Sequence, residues 1–122
     1  MVEQLLFLLV LLQFKHWYID FVNQSADEIA SKGIYGDQLG LNHSIKHGMA
    51  TVLCCVAITG IDYMPFALLI GFADSVIHYH IDWFKMRYGN GNIKTKEFWV
   101  HMGADQMAHQ LTYLLIAWAV FA

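Results

Sequence analysis

The chain has 122 residues, enough for one domain and no second. Hydrophobic residues make up 57% and charged residues only 14%, against about 25% charged in soluble domains, which excludes a disordered tail, a collagen-like fibre and a disulfide scaffold. A net charge of −3 argues against a nucleic-acid partner, which needs a basic face.

The first apolar stretch, about 3–24, could be mistaken for a signal peptide. Its leading flank carries Glu3 and no basic residue, and Lys15 and His16 follow the apolar run where a cleavage site would stand, so it reads as a retained helix. Ser25 to Gly40 is polar and Gly-rich and reads as a loop. The second stretch, about 41–60, holds the adjacent Cys54 and Cys55, which read as small buried hydrophobes. A tight turn at Gly60-Ile61-Asp62 leads into the third stretch, about 63–87. The Tyr88 to Lys96 loop precedes the fourth, about 97–121.

Each stretch is long enough to cross a bilayer of about 30 Å as a helix. Each has a greasy half and a half carrying His and Asp. Strand alternation is absent and the linkers are short, so the expected fold is all-α: residues 1–122 as one up-down, four-helix transmembrane bundle. A water-soluble bundle with a sticky end is the competing reading, but charged surface for four wet helices is missing. All seven Lys and Arg lie towards the end that holds loops 25–40 and 88–96. The positive-inside rule makes those loops cytoplasmic and places both termini outside. Trp17, Tyr18, Trp83, Phe84, Tyr88 and Trp99 gather near the same end, as a membrane aromatic belt does.

Four pairs of metal-capable residues occur at i, i+4 spacing, one per helix: His16/Asp20, His43/His47, His78/Asp82 and Asp105/His109. That spacing puts both members on one helix face, a turn apart. His16, His47, His78 and His109 also recur every 31 residues, which in an up-down bundle sets all four at one height. The partners then form a second tier, Asp20, His43, Asp82 and Asp105, about 6 Å nearer the cytoplasm. Eight N/O donors from four helices, with no thiolate, suit one or two divalent ions, zinc first, with manganese or iron as alternatives. Unpaired, the three carboxylates would cost about 2.5–3.5 kcal/mol each in a membrane, which a bound cation offsets.

Around this core, Asp74 lies one turn below His78 and Thr51 one turn below His47. Asp74 reads as a group orienting a ligand imidazole, and Thr51 as a hydroxyl bonded to its own helix backbone. Gln24 and His101 stand one turn above the upper tier, at the cytoplasmic mouth, and Gln106 adjoins Asp105. Lys46, Lys85 and Arg87 near the mouth either snorkel to the interface or hold an anionic group. His80 points away from His78 and is left out.

The series His16-x3-Asp20-Phe21-x2-Gln24, Lys32, His47, His78-x3-Asp82-x2-Lys85 and Asp105-Gln106-x2-His109 resembles small bacterial and phage membrane proteins catalogued as domain of unknown function 3307. The resemblance spans essentially the whole chain and implies a polytopic helical protein without an assigned activity. A weaker similarity is to bacterial inner-membrane metal-dependent hydrolases, which carry a His-x3-His pair before a His-x3-Asp helix, as His43/His47 and His78/Asp82 do. Their Pro-Asp-x-Asp-His and His-Arg-Gly segments are absent.

The expected function is therefore a membrane-embedded metal-dependent hydrolase in a bacterial inner membrane. It would act at the cytoplasmic headgroup region on a phosphate-bearing, lipid-linked or membrane-peptide substrate, with Asp20 or Asp105 as base. The alternative is a structural or sensory metal centre in a phage or bacterial envelope factor. A channel or carrier is disfavoured, because the greasy half offers no polar path. Nothing in the sequence sets the oligomeric state.

Overall fold

The computed structural model describes residues 1–122 and contains helices and no strand. The helices are α1 (Val2–Trp17), α2 (Ala26–Ser31), α3 (Gln38–Thr59), α4 (Met64–Tyr88) and α5 (Lys96–Phe121). Around the long helices the packing closes on itself: α1 lies on α3 and α5, α3 on α4, and α4 on α5. The short α2 rests against α3.

Local chemistry sets the boundaries. Asp37 caps α3 through the Leu39 amide, and Thr95 caps α5 through the Phe98 amide. Gly60 ends α3 at φ 96°, a backbone conformation in which a side chain would be strained, and Pro65 sits in the first turn of α4. Two expectations need correction. The 25–40 segment is not simply a loop, because Ser25 accepts the Glu28 amide and starts α2 with acidic residues in its first turn. The first helix does not run regularly to 24: Tyr18–Val22 wind as a π-helical turn and the chain turns away at Asn23.

The interior divides into two halves. At the end holding both termini, Leu8, Leu12, Cys55, Ala67, Ile70, Tyr113, Ile116 and Ala117 form the hydrophobic core. Beyond it the buried residues are mainly polar or charged, among them four carboxylates, Asp20, Asp74, Asp82 and Asp105. Large hydrophobic side chains meanwhile cover the outside along every long helix. Two helices, Val2–Val22 and Ile61–Tyr88, are long and apolar enough to cross a membrane. The others have the length, 22 residues in α3 and 26 in α5, without the same apolarity.

The closest helix approach lies beside the polar half. A Cβ on Gly48 would fall on Ser75 Oγ and the Gly71 carbonyl, and one on Gly71 would fall on Val52 and the Gly48 carbonyl. Backbone contact between α3 and α4 at this crossing brings His47 alongside His78, with ring centroids 3.6 Å apart. Gly71→Val is expected to lower unfolding stability by about 1–3 kcal/mol through overpacking. Gly91→Ala, which meets nothing within 4 Å, should leave it unchanged. Thermal unfolding of the detergent-solubilised protein checks both.

Candidate metal centre

The four histidines that recur every 31 residues do meet at one level. His47 stacks on His78 and His78 on His109, with centroids 3.6 and 4.2 Å apart, and His16 closes the ring at 5.3 Å from His109 and 6.2 Å from His47. The partner residues join them. Asp20 Oδ1 lies 2.7 Å from His47 Nε2 and 2.9 Å from His43 Nε2. Asp82 lies 3.1 Å from both His78 Nε2 and His109 Nε2, and Asp105 Oδ1 lies 3.6 Å from His109 Nε2. All eight sequence-predicted donors therefore belong to one buried network.

Within it, two groups bring donor atoms together closely enough to hold a metal ion: Asp20, His43, His47 and His78, and a second of His78, Asp82 and His109. His16 and Asp105 belong to neither. The Gln106 amide donates to Asp105 Oδ2, so its oxygen faces His16 and accepts the Nε2 proton at 2.7 Å. The Tyr113 hydroxyl then donates to His16 Nδ1 at 2.8 Å, and both ring nitrogens are engaged. Asp105 Oδ2 is held by Lys85 at 3.2 Å, while Oδ1 is buried without a hydrogen-bond partner.

Hydrogen bonds also assign the other rings. Glu28 Oε2 accepts from His43 Nδ1 at 3.2 Å, which leaves His43 Nε2 as a lone pair facing the Asp20 carboxylate. Neither this Nε2 nor either nitrogen of His78 has an aligned hydrogen-bond partner, although both rings are at most 1% exposed. A lone pair turned on a carboxylate needs a proton or a cation between them. Burial works against the charge on Glu28, but the Lys46 ammonium and the His43 ring outweigh it and hold its carboxyl below the usual carboxylate range. Carboxylate support behind a ligand imidazole is the usual second layer of a metal site.

Lysines supply the partners for three of the four buried carboxylates: Lys15 for Asp74 at 2.9 Å, Lys32 for Asp82 at 3.1 Å and Lys85 for Asp105 at 3.2 Å. Several sequence readings change accordingly. Lys15 is not a loop-side charge. It is 6% exposed inside the protein and also donates to His47 Nδ1 at 3.1 Å. Asp74 makes no hydrogen bond to His78: Lys15 and the Thr51 hydroxyl share its Oδ2, its Oδ1 has no partner, and it reaches the His47 ring only through Lys15. Thr51 bonds that carboxylate at 2.6 Å and not its own backbone. A cation is therefore not required to offset every buried carboxylate; only Asp20 lacks a lysine.

At the mouth, Gln24, Lys85 and His101 do line one cavity, together with Lys32. Gln24 donates to the Asp20 carbonyl, and His101 accepts from the Asn90 amide. His80, left out of the site, is exposed and bonds Tyr35 and its own helix. Sequence reasoning missed Tyr113, Glu28 and the buried roles of Lys15 and Lys32. Two signals were available: Tyr113 follows His109 by four residues on the same face, and Glu28 sits at the third position after the Ser25 cap.

With the geometry in hand, comparison with known proteins gives one result. The family described as "Protein of unknown function (DUF3307)" matches residues 6–122. The chain belongs to this family. No curated protein and no solved structure matches it, and the expected similarity to metal-dependent hydrolases is not shown.

The buried ion pairs make a direct test. Lys15→Met leaves Asp74 charged and unpaired and should cost about 3–5 kcal/mol. Adding Asp74→Leu should recover most of that loss, because a pair replaced by apolar groups is close to neutral. Denaturation midpoints of the single and double variants measure it.

Proposed function

We propose that this family member is a membrane-embedded divalent-metal protein, and that its metal centre hydrolyses a phosphate-bearing or lipid-linked substrate at the cytoplasmic headgroup region. One observation carries the metal: the buried, unpartnered Nε2 atoms of His43 and His78 turn towards Asp20 and Asp82. Donor separations support the fit. Asp20 Oδ1 lies 2.7, 2.9 and 3.8 Å from the Nε2 atoms of His47, His43 and His78, and the edge of a tetrahedral zinc site is about 3.3 Å. Charge supports it too. Four buried carboxylates face two buried lysines and the partly buried Lys85, and the carboxylate left without a lysine is Asp20, among imidazoles. Zinc is the first choice, ahead of manganese and iron, for a donor set of imidazole and carboxylate.

A bilayer accounts for the polar interior under an apolar exterior, which water does not favour. Both termini are assigned to the outside, and loops 25–40 and 88–96 to the cytoplasm. With Lys15 and Lys32 buried, this orientation rests chiefly on Lys46, Arg87, Lys94 and Lys96. A reporter fused at Ala122 should be active on the non-cytoplasmic side.

The hydrolytic reading draws on the second donor group. His78, Asp82 and His109 supply three protein ligands and leave a fourth position for water, the pattern of catalytic zinc. Asp105, with Oδ1 unpartnered beside His109, is the base in this reading, and Asp20 belongs to the ligands. The opposing observation is the complete quartet of Asp20, His43, His47 and His78, which would make a closed structural or sensory centre.

Metal analysis and substrate screening separate the readings. The purified protein should carry zinc, and His47→Ala or Asp82→Asn should lose it, whereas His80→Ala should not. Asp105→Asn should keep the metal and lose turnover on phosphodiester or lipid-phosphate substrates. Absence of turnover, with four protein donors and no water around a cobalt substitute, would favour the closed centre.

A further inference from the structure

Two cavities adjoin at the loop end of α4 and α5. The larger, about 620 Å³, is an apolar groove between these helices, walled by Val76, Ile77, Ile81, Phe84, Ala104 and Ala108. The smaller, about 340 Å³, is the more polar of the two and has Gln24, Lys32, Asn90 and His101 in its lining. Lys85, Gly89 and His101 line both, so the two cavities meet at these three residues. Each volume falls in the range of about 300–1,000 Å³ typical of ligand sites.

Lys85 stands on the shared boundary, with Asp105 on the groove side and Lys32 in the smaller cavity. Lys32 and Lys85 each make one ion pair, with Asp82 and Asp105, and a lysine ammonium has three N–H donors. Lys32 is only 7% exposed, so its remaining donors have the cavity and little bulk water to serve. The apolar side opens outward past exposed Val76, Ile77, Phe84 and Tyr88. Small residues on α5, Ala104 and Ala108, keep that opening from being filled. A groove for hydrocarbon leading to two ammonium groups matches one chemistry, an anionic lipid.

We infer that an anionic phospholipid enters laterally between α4 and α5, its acyl chain in the groove and its phosphate at Lys32 and Lys85. This rests on the bilayer reading above and names the substrate class for that site. The phosphate would then stand beside Asp82 and Asp105, the carboxylates those lysines hold.

Native mass spectrometry of the metal-loaded protein, titrated with phosphatidylglycerol or phosphatidylcholine of identical chains, tests it. One phosphatidylglycerol per chain should be retained at a concentration at least tenfold below that needed for phosphatidylcholine. Ala108→Trp, which fills the groove, and Lys32→Gln, which removes an ammonium, should each abolish the preference. Val10→Trp, on the exposed face of α1, should preserve it. Equal retention of the two lipids, or a preference that survives Ala108→Trp, overturns the inference. So does displacement of the lipid by soluble glycerol phosphate at equal concentration, which would mean that the headgroup alone is bound. Zinc content measured on the same samples keeps the outcomes apart: zinc without lipid preference sinks only this inference, and lipid preference without zinc sinks only the metal centre.

Discussion

A carboxylate taken out of water costs several kcal/mol unless a positive charge or a set of donors replaces its hydration, and this protein buries four. Three of them, Asp74, Asp82 and Asp105, receive a lysine from another helix or loop segment. Asp20 has no lysine and lies among imidazoles instead, accepting from His47 Nε2 with the His16 and His43 rings beside it. These pairs tie α1 to α3 and α4, the α2 segment to α4, and α4 to α5, so the polar half is cross-linked electrostatically. The interior would be expensive to open on any one helix, because each opening strands a charge.

The rest of the architecture serves that constraint. The α3–α4 crossing at Gly48 and Gly71 removes side chains where ring stacking requires the backbones to meet. The π-helical turn at Tyr18–Val22 contains Asp20 and carries its carboxylate among three histidines. The α2 segment brings Glu28 behind His43 and Lys32 onto Asp82. Beneath, the hydrophobic core from Leu8 to Ala117 supplies an apolar floor.

Sharing of His78 between the two donor groups links the two functional readings. An ion held with Asp20, His43 and His47 has four protein ligands, whereas one held with Asp82 and His109 has three. The choice between a closed centre and a hydrolytic one is therefore a choice of neighbours for a single imidazole. Lys32 and Lys85 bear on the second option, since they hold Asp82 and Asp105 while lining the cavity at the mouth. A bound anion there would compete with those carboxylates for the lysines, coupling occupancy of the mouth to the charge around His78.

Much of the site was legible in one dimension. Apolar lengths and turn residues gave the four long helices, and i, i+4 pairs repeated every 31 residues gave the histidine ring, because helix periodicity and alternating direction convert spacing into height. Family membership was also legible, from the order of the His, Asp, Gln and Lys motifs. Spacing could not say which nitrogen of a ring is free. His16 and His43 have the same pattern, yet Gln106 and Tyr113 saturate one while Glu28 leaves the other open. Nor could it place a long, flexible side chain. Lys15 and Lys32 read as loop-side charges, and only tertiary packing turned them inward to Asp74 and Asp82. The reason is physical: periodicity sets where a Cα stands on its helix, whereas charge pairing and tautomer depend on what the neighbouring helices present to it.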